Sequence, residues 1–527
     1  MADFLIEQSF SIFIKISAAL TDFYQFTISL GYFHEGRQDE TACFDLFYRK
    51  QPFKGSFAIF GGLEECINFI QGYKFTEEEL EYIKSNLPGQ NDDFIDYLRN
   101  MDMKKLKITA IPEGSVVFPR EPLLRVEGPI ACCQLIETPL LNYINFATLM
   151  TTNALRFKLR AGEHKTLMEF GLRRAQGPNG AMSASRYSYL GLFDSTSNVL
   201  AGQKYGIPIA GTVAHSFVTS YFDIKQLKTT CIKHAETGED IDLYKYAQQV
   251  LQECGFHSNQ NELVSFIAQA LVYPNNFLAL VDTYDTLKSG IPNFLAVSYG
   301  LHKAGYKGKG IRLDSGDNVE LSKAVRKMYI EFSQKYNISY AAKYLITASN
   351  DINEEELIRI NKLGHEIDSF GIGTHLVTCQ AQPALGGVYK LVEIDDVPRV
   401  KLSESIEKST IPCKKDLYRC YDENGKAIAD ILAVSGETPK QGKCFKVFPD
   451  AKEFELKCSE IKPLYIVAWD HGVPHADSLQ VCRERVIDNY KNFNKNVLTV
   501  NESEEYPILT TPKLYQTMEE LIKKSRA

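Results

Sequence analysis

Several common signatures of function are missing from this sequence of 527 residues. None of its 12 cysteines forms a CxxC pair, no HExxH motif occurs, and no uninterrupted apolar run reaches about 18 residues. Its 59 basic and 66 acidic side chains include no long block of one charge. These absences argue against a protein-caged zinc ion, a membrane-spanning helix and a nucleic-acid partner.

The common phosphate-binding motifs are also missing. The stretch from Gly436 to Lys443 comes nearest to a Walker A loop, but its spacing is one residue too long, and Cys444 stands where Ser or Thr is required. No GxGxxG motif follows a predicted strand. If the protein uses a nucleotide, another kind of site must bind it.

The composition instead indicates a folded protein with a large core. The chain is 44% hydrophobic, 11% aromatic and 24% charged, which is close to the average of globular proteins. Its length predicts several domains of about 150 residues each. The scattered cysteines are typical of a reducing compartment, and Asp3 and Glu7 stand where a signal peptide needs positive charge. We therefore expect a cytoplasmic protein.

Changes in sequence pattern predict four domains. The expected parts are an N-terminal α/β domain (1–150), a catalytic (β/α) barrel (151–385), a β-rich module (386–465) and a helical tail packed on the N-terminal domain (466–527). Locally, Thr76 and Glu79 form a capping box that predicts a helix start. A hairpin is predicted with its turn at 395–396, and Asn424-Gly425 predicts a type I′ turn.

A repeated pattern from about Leu167 to about Thr374 predicts parallel βα units. Short apolar runs end in polar, charged or glycine residues, and each is followed by a helix-like stretch. In a closed (β/α) barrel all these run ends would lie at one face, and an open doubly wound sheet would also place them at one edge. The run ends are Glu169-Phe170-Gly171, Gly211-Thr212, Asp282-Thr283, Arg312-Leu313-Asp314, Ser349-Asn350-Asp351 and Gly371-Ile372-Gly373-Thr374.

The charged residues at these run ends predict an anionic ligand. Taken singly, each has an ordinary structural explanation: a histidine beside Ser and Thr, paired arginines at a solvated rim, or an Asp-Ser-Gly-Asp turn. Together they would place His215, Arg173, Arg312 and Asp314 at one mouth. An arginine fork suits a carboxylate or a phosphate, and the backbone amides of the Gly-Ile-Gly-Thr loop suit a phosphate.

Five motifs in the same order resemble the nicotinate phosphoribosyltransferases. They are LTDFYQFTISLGYF (20–33), EFGLRRAQGPNG (169–180), SNVLAGQKYGIPIAGTVAHSFV (197–218), IRLDSGD (311–317) and FGIGTHLVT (370–378). The resemblance covers roughly residues 20–429. It implies an α/β protein of the type II phosphoribosyltransferase fold, with an irregular (β/α) barrel, an N-terminal α/β domain and a small β-rich C-terminal module.

The resemblance also implies an activity and its requirements. Members join nicotinate to 5-phosphoribosyl 1-diphosphate and release diphosphate, which is the first step of NAD synthesis from nicotinate, and they couple this to ATP hydrolysis. His215 matches the histidine that takes a phosphoryl group from ATP, with Mg²⁺ or Mn²⁺ present. Tyr24, supplied by a neighbouring subunit, and Phe170 match the aromatic residues that sandwich the pyridine ring. A homodimer with shared active sites is therefore expected.

The remaining matches surround the other parts of the substrates. Arg173, Thr212 and Arg312 match positions around the nicotinate carboxylate and the ribose phosphate. Asp314 matches the carboxylate that holds the ribose hydroxyls. The phosphoribosyl diphosphate is expected to bind at Asn350, Gly373 and Thr374. The resemblance implies catalytic roles for His215, Asp314 and Arg312, and it assigns none to His375.

Three other functions are considered. The nicotinamide-specific relatives carry an aspartate where this chain has Thr212; an aspartate accepts from an amide and repels a carboxylate, whereas a threonine hydroxyl can donate to a carboxylate, so the acid is favoured. Quinolinate phosphoribosyltransferases are much shorter. A catalytically inactive homologue that serves as a binding protein would be expected to lack His215, Arg312 or Asp314, and all three are present.

Overall fold

The computed structural model describes residues 17–89, 91–402, 409–447, 451–494, 496–499 and 505–526. The chain forms two compact units, each assembled from separate segments. The first unit contains residues 1–155, 176–192 and 379–527, and the second contains residues 156–175 and 193–378. The four domain boundaries expected from the sequence stay predictions.

Helices and strands alternate along most of the chain. The helices are α1 (Phe23–His34), α2 (Leu63–Gln71), α3 (Glu77–Asn86), α4 (Asp92–Arg99), α5 (Ile130–Leu135), α6 (Glu137–Ala161), α7 (Gly177–Leu190), α8 (Val199–Tyr205), α9 (His215–Thr219), α10 (Leu243–Glu253), α11 (Gln260–Val272), α12 (Ile291–Lys303), α13 (Asn318–Tyr336), α14 (Glu354–Leu363), α15 (Thr374–Val377), α16 (Leu479–Asn492) and α17 (Pro512–Arg526). None of the helices in the described residues is both long and apolar enough to cross a membrane.

The strands of the two units fall into three larger sheets and two short pairs. They are β1 (Thr41–Tyr48), β2 (Ala58–Ile59), β3 (Lys107–Ala110), β4 (Val116–Val117), β5 (Leu124–Pro129), β6 (Thr166–Glu169), β7 (Ser195–Thr196), β8 (Cys231–Lys233), β9 (Asp240–Asp242), β10 (Leu278–Leu280), β11 (Gly310–Leu313), β12 (Leu345–Ala348), β13 (Ser369–Ile372), β14 (Gly387–Ile394), β15 (Val397–Pro398), β16 (Lys415–Tyr421), β17 (Ala427–Val434), β18 (Gly442–Lys446), β19 (Glu453–Leu456), β20 (Glu460–Pro463), β21 (Ile466–Asp470), β22 (Val473–Pro474) and β23 (Ile508–Thr510).

Capping interactions explain where several helices begin and end. The predicted capping box is confirmed: Glu79 N donates to Thr76 Oγ1 at 3.2 Å, and Thr76 N donates to the Glu79 carboxylate at 2.7 Å. Helix α13 begins where Asp317 accepts from two backbone amides, and it ends at Asn337, whose φ of 56° is left-handed.

The first unit contains a seven-stranded sheet in the order β15-β14-β1-β5-β3-β21-β22. The predicted hairpin at 395–396 is confirmed, because β14 pairs with β15 and both Asp395 and Asp396 have positive φ, as a type I′ turn requires. Strand β14 also pairs with β1, more than 300 positions away along the chain. Residues 466–474, which the sequence places in a helical tail, form β21 and β22 of this sheet.

A second, six-stranded sheet of the first unit has the order β19-β18-β23-β17-β16-β20. The hairpin predicted around Asn424-Gly425 joins β16 to β17, but the type I′ assignment was wrong, because only Gly425 has positive φ. The Asp422 carboxylate accepts from the backbone amides of Asn424 and Lys426 at 2.9 and 2.8 Å, and this holds a longer loop.

The second unit contains parallel strands in the order β10-β11-β12-β13-β6-β7. Strand β7 continues through an isolated parallel bridge between Thr196 and Ile209. Each strand therefore lies beside its neighbour in the sequence, and β13, the last of the series, pairs with β6, the first. This is the strand order of a barrel, as predicted, and not that of a doubly wound sheet. Within the described residues no ladder joins Ile209 to β10, which makes the barrel irregular.

A buried ion pair links the two strands at the centre of the β16–β17 hairpin. Arg419 donates to both oxygens of Asp430, at 2.9 Å from Nε and 2.7 Å from Nη2, and both side chains are at most 2% exposed. Tyr506 donates its hydroxyl to the same carboxylate at 2.8 Å. Breaking a buried pair leaves an uncompensated charge, which costs far more than one neutral hydrogen bond.

We predict that Asp430→Asn lowers the free energy of unfolding of the first unit by about 3–5 kcal/mol, because it breaks the bidentate pair of the buried Arg419, and the neighbouring Glu121, whose pKa is raised by burial, can replace that charge only at a cost. The matched control Tyr506→Phe removes one hydrogen bond to the same carboxylate and should cost about 1 kcal/mol. Urea unfolding followed by the fluorescence of Trp469, which lies in this unit, measures both. Equal losses in the two variants would contradict the assignment of the ion pair.

Candidate active site

The carboxyl ends of the parallel strands bring most of the predicted site residues to one edge of the second unit. Asp282 and Thr283 follow β10, and Asp314 follows β11. Phe170 follows β6, and His215 begins the helix after the Ile209 bridge. Because parallel strands point the same way, these residues share the face where barrel enzymes bind their substrates.

The imidazole of His215 contacts three side chains from two neighbouring strand ends. Its Nδ1 lies 3.0 Å from the hydroxyl of Thr283, within hydrogen-bond distance. Its Nε2 lies 3.7 Å from Asp314 Oδ2 and 4.0 Å from Asp282 Oδ1, and the side chain is 44% exposed. One ring nitrogen is therefore fixed by a hydroxyl, and the other faces two carboxylates and the open mouth.

Serine hydroxyls hold these two carboxylates. Ser315 donates to Asp282 Oδ2 at 2.5 Å, and Ser349 donates to Asp314 Oδ1 at 2.5 Å. The Asp282 side chain is 2% exposed, and its Oδ1 has no hydrogen-bond partner among the described residues. The sequence predicted a strand end at Asp282-Thr283 but gave these two residues no role in the site. Their position at a strand end was the signal that could have identified them.

Arg312 reaches across the gap in the barrel. Its Nη1 donates to Thr212 Oγ1 at 2.5 Å, and its Nη2 lies 4.0 Å from Asp314 Oδ2. Burial lowers the pKa of the Arg312 guanidinium; the carboxylates of Asp314 and Asp282 oppose this shift, and the positive charge of Arg173 adds to it. Two arginines and a hydroxyl thus lie together, and a bound anion would relieve the repulsion between the two cations.

Phe170 is held in place by close backbone packing. Its ring lies against Gly371, where an added Cβ would come within 2.4 Å of the ring. The Phe170 amide donates to the Ile372 carbonyl at 2.8 Å, and the next amide, of Gly171, donates to the Glu169 carboxylate. Glu169 is fully buried and also accepts from Thr196 Oγ1 at 2.5 Å. The sequence placed Glu169 at a strand end without a role, and the structure makes it the anchor of this turn.

The residues predicted to bind phosphoribosyl diphosphate follow the ends of β12 and β13, and among the described residues they form no hydrogen bond with His215 or Arg312. Asn350 donates to the Gly316 carbonyl at 3.3 Å. Gly373 and Thr374 begin helix α15 directly after β13. His375, which had no assigned role, lies 2.9 Å from the carboxylate of Asp351 through its Nε2.

Tyr24 belongs to the first unit, in helix α1, and its side chain is 45% exposed. Its predicted contact with the site of a neighbouring subunit stays a prediction.

Comparison with known proteins identifies the family that this chain matches. The model of the nicotinate phosphoribosyltransferase N-terminal domain matches residues 19–145, the family model matches residues 300–430, and the C-terminal domain model matches residues 414–518. The chain is 45% identical over 518 residues to nicotinate phosphoribosyltransferase 1 of Arabidopsis thaliana, which covers 95% of this chain and 93% of that protein. It is 41% identical over 465 residues to the human nicotinate phosphoribosyltransferase, covering 86% of each.

Two solved structures are similar in fold. The crystal structure of human nicotinic acid phosphoribosyltransferase matches with a TM-score of 0.86 and 35% identity, covering 95% of this chain and 100% of that chain. The nicotinate-nucleotide pyrophosphorylase from Pyrococcus furiosus matches with a TM-score of 0.59 and 20% identity, covering 90% and 96%, which indicates a shared fold alone.

Proposed function

Because this chain belongs to the nicotinate phosphoribosyltransferase family, we propose that it joins nicotinate to 5-phosphoribosyl 1-diphosphate and releases nicotinate mononucleotide and diphosphate. The observation that carries this proposal is the group formed by Arg312, Thr212 and the nearby charge of Arg173. It suits a small carboxylate anion. His215, Arg312 and Asp314 are all in place, which argues against an inactive homologue.

The side chain of Thr212 favours nicotinate, the acid, over nicotinamide, the amide. Its hydroxyl accepts from Arg312 and donates to the Val213 carbonyl at 3.3 Å, and a ligand carboxylate would compete with that carbonyl for the hydroxyl hydrogen. Phe170 offers a ring face beside the same mouth, and a pyridine can stack on such a face. Nicotinamide lacks the negative charge that would offset the repulsion between Arg312 and Arg173.

In the transfer step the pyridine nitrogen attacks C1 of the ribose. A carbon–nitrogen bond forms, the bond from C1 to the diphosphate oxygen breaks, and diphosphate leaves with the electron pair. Asp314 accepts hydrogen bonds from the ribose hydroxyls, while Asn350 and the backbone amides at Gly373 and Thr374 hold phosphate oxygens. The chain contributes chiefly orientation and charge, because the nucleophile is already present in the substrate.

Magnesium is expected with these substrates. No group of three or more His, Cys, Asp or Glu side chains is arranged around a metal site in the part of the chain that the structure describes. This fits Mg²⁺, which keeps several waters and binds through substrate phosphates and one or two carboxylates. Asp314 Oδ2, at the mouth, is the carboxylate oxygen that would hold it. When bound, the metal neutralises charge on the phosphates.

ATP hydrolysis is coupled to the transfer through His215. With Nδ1 protonated and donating to Thr283, Nε2 carries the lone pair and is the nucleophile. Attack on the γ-phosphorus forms a nitrogen–phosphorus bond, and ADP leaves with the electrons of the broken oxygen–phosphorus bond. Hydrolysis of the phosphohistidine during the cycle then drives a reversible transfer toward the mononucleotide.

The working unit is a homodimer in which Tyr24 of one chain stacks on the pyridine bound by the other. Tyr24 lies beside two other exposed apolar residues, Leu20 and Phe23, and such a group supports an interface, because contiguous exposed apolar side chains commonly mark one.

We predict that Thr212→Asp lowers kcat/KM for nicotinate about 10- to 100-fold, because the new carboxylate would pair with Arg312 and repel the carboxylate of the ligand. Mononucleotide formation from nicotinate and from nicotinamide is measured for both proteins. Thr237→Asp, which adds the same charge to an exposed turn, should leave the rate unchanged. Full nicotinate turnover by the Thr212 variant would contradict the role of this hydroxyl.

We predict that His215→Ala abolishes ATP hydrolysis but keeps a slow, ATP-independent transfer. The imidazole accepts the phosphoryl group and takes no part in bond making at the ribose. ADP release and mononucleotide formation are followed in the same reaction. His365→Ala is the matched control, since His365 pairs with Asn361 away from the mouth. ADP release that still keeps pace with product in the His215 variant would disprove the phosphohistidine, and His375 would then be tested.

We predict that Tyr24→Ala and His215→Ala chains, each without ATP-coupled activity alone, recover it when co-expressed. Random pairing would restore about a quarter of the native activity, because half of the dimers are mixed and each mixed dimer has one intact site. Tyr82→Ala, which removes an exposed ring from helix α3, should keep full activity alone. Mixed dimers that form but stay inactive would rule out shared sites.

A further inference from the structure

Helix α11 carries a fully buried carboxyl group, Glu262, that the proposed mechanism does not use. Its Oε2 accepts from Ser289 Oγ at 2.5 Å and from Asn293 Nδ2 at 3.0 Å. Its Oε1 is buried and has no hydrogen-bond partner among the described residues. A buried carboxyl group with one oxygen unsatisfied is costly, which indicates that the contacts of its other oxygen have a structural role.

Glu262 fixes the turn that follows the Asp282-Thr283 strand end. Ser289 lies in a π-helical turn, Thr286–Gly290, that begins three residues after Thr283. The Ser289 hydroxyl also accepts from the backbone amide of Asn259, which caps helix α11, at 2.9 Å. Because this hydroxyl accepts from the cap, its hydrogen is directed to Glu262.

The Thr286–Gly290 turn packs directly against the end of strand β10. A Cβ at Gly290 would lie 2.0 Å from the carbonyl oxygen of Val281, so the backbone of the turn is packed directly on the residue before Asp282. A shift of the turn would therefore shift Val281 and the two residues that contact His215.

Helix α11 also supports the other side of the histidine contact. Helix α9, whose first residue is His215, packs against helix α11. The element that carries Glu262 thus touches both the helix of His215 and the turn behind Thr283. The hydrogen bond of 3.0 Å between His215 and Thr283 joins these two elements.

We propose that Glu262 is a positioning residue: its ionised carboxyl group holds Ser289 and Asn293, and thereby sets Thr283 and Asp282 against the imidazole of His215. The proposal rests on the proposed function in one respect, namely that His215 is the phosphoryl acceptor. No contact between Glu262 and a substrate is required.

The charges around Glu262 make its hydrogen bonds to Ser289 and Asn293 depend on pH. Burial, together with the carboxylates of Asp282 and Asp285, raises the pKa of Glu262 to about 7, although Ser289 and Asn293 oppose the shift. Helix α12 faces helix α11 with the neutral Asn293, and helix α10 does so with the neutral Gln248. The turn carries the exposed Lys288, which pairs with Asp285, the residue that caps it.

The ionised form accepts the two hydrogen bonds best, whereas a proton on Oε1 would have no acceptor. The support for Thr283 should therefore weaken as the pH falls through about 7.

The stability of the fold changes with pH in the opposite direction to the positioning of Thr283. A carboxyl group whose pKa is raised by folding binds its proton more tightly in the folded state, so its contribution to stability is lost as the pH rises through about 7. The thermal midpoint of Glu262→Gln should consequently rise relative to that of the native protein between about pH 4.5 and pH 7, the interval between the ordinary and the folded pKa of this carboxyl group. This separates a loss of positioning from a loss of folding.

The test uses the ¹⁵N spectrum of histidine-labelled full-length protein, with His215 assigned by its absence in His215→Ala. In the native protein above pH 7 we expect one tautomer, fixed by the hydrogen bond between Nδ1 and Thr283. In Glu262→Gln and in Ser289→Ala we expect a mixture of tautomers at every pH, and no further change in the double variant. Ser265→Ala, a buried hydroxyl on the same helix that donates to the Glu262 backbone carbonyl, should behave as the native protein. A His215 signal in Glu262→Gln that matches the native protein at every pH would overturn the proposal.

The activity measurement distinguishes the two proposals. We expect Glu262→Gln to lower kcat for ATP hydrolysis roughly 10- to 100-fold, because a misplaced catalytic group costs about that much, with KM for nicotinate little changed. Native kcat in this variant would overturn the positioning role. If the native protein itself hydrolyses no ATP, the phosphohistidine fails, while the tautomer spectrum still decides whether Glu262 positions His215.

Discussion

The parallel pairing of β13 with β6 is the constraint on which the candidate site depends. It places the last strand of the series beside the first, so that strand ends separated by up to about 200 residues face the same side. Four of those ends supply Phe170, Thr283, Asp314 and Gly373. The one gap in the series, between Ile209 and β10, is spanned by side chains: Arg312 contacts Thr212, and His215 contacts Thr283.

Hydroxyl groups hold four of the carboxyl groups at and behind this site. Four carboxylates, Glu169, Glu262, Asp282 and Asp314, each accept from a Ser or Thr hydroxyl at 2.5 Å. A hydroxyl donates a hydrogen bond to a carboxylate oxygen but leaves the negative charge in place, whereas an arginine would neutralise it. The mouth thus keeps carboxylates beside an imidazole and near two arginines, an arrangement that suits phosphate substrates accompanied by magnesium.

Much of the fold follows from local sequence pattern, and the rest depends on long-range contacts. The parallel series, the capping box at Thr76 and the hairpin at Asp395 and Asp396 were predicted because periodicity and turn chemistry act over a few residues. The pairing of β14 with β1 joins residues far apart in the sequence, which no local signal marks. The loop at Asn424-Gly425 differs because the Asp422 side chain outweighs the preference of the dipeptide.

The site shows the same division. The motif residues His215, Arg312 and Asp314 stand where an apolar run breaks, and a charged residue there is visible in the sequence. Glu262 lies in the first turn of helix α11, where an acidic residue is ordinarily explained by the helix dipole, and only the packing shows that it is buried. Residues that support a site from behind leave no signal of this kind.

The central claim is that this chain transfers a phosphoribosyl group to nicotinate. The most direct measurement incubates the unaltered protein with labelled 5-phosphoribosyl 1-diphosphate and Mg²⁺, offers nicotinate or nicotinamide, and includes or omits ATP. The account predicts labelled nicotinate mononucleotide, far less product from nicotinamide, and faster formation with ATP present. Equal turnover of the two pyridines, or no labelled mononucleotide from nicotinate under any of these conditions, would contradict it.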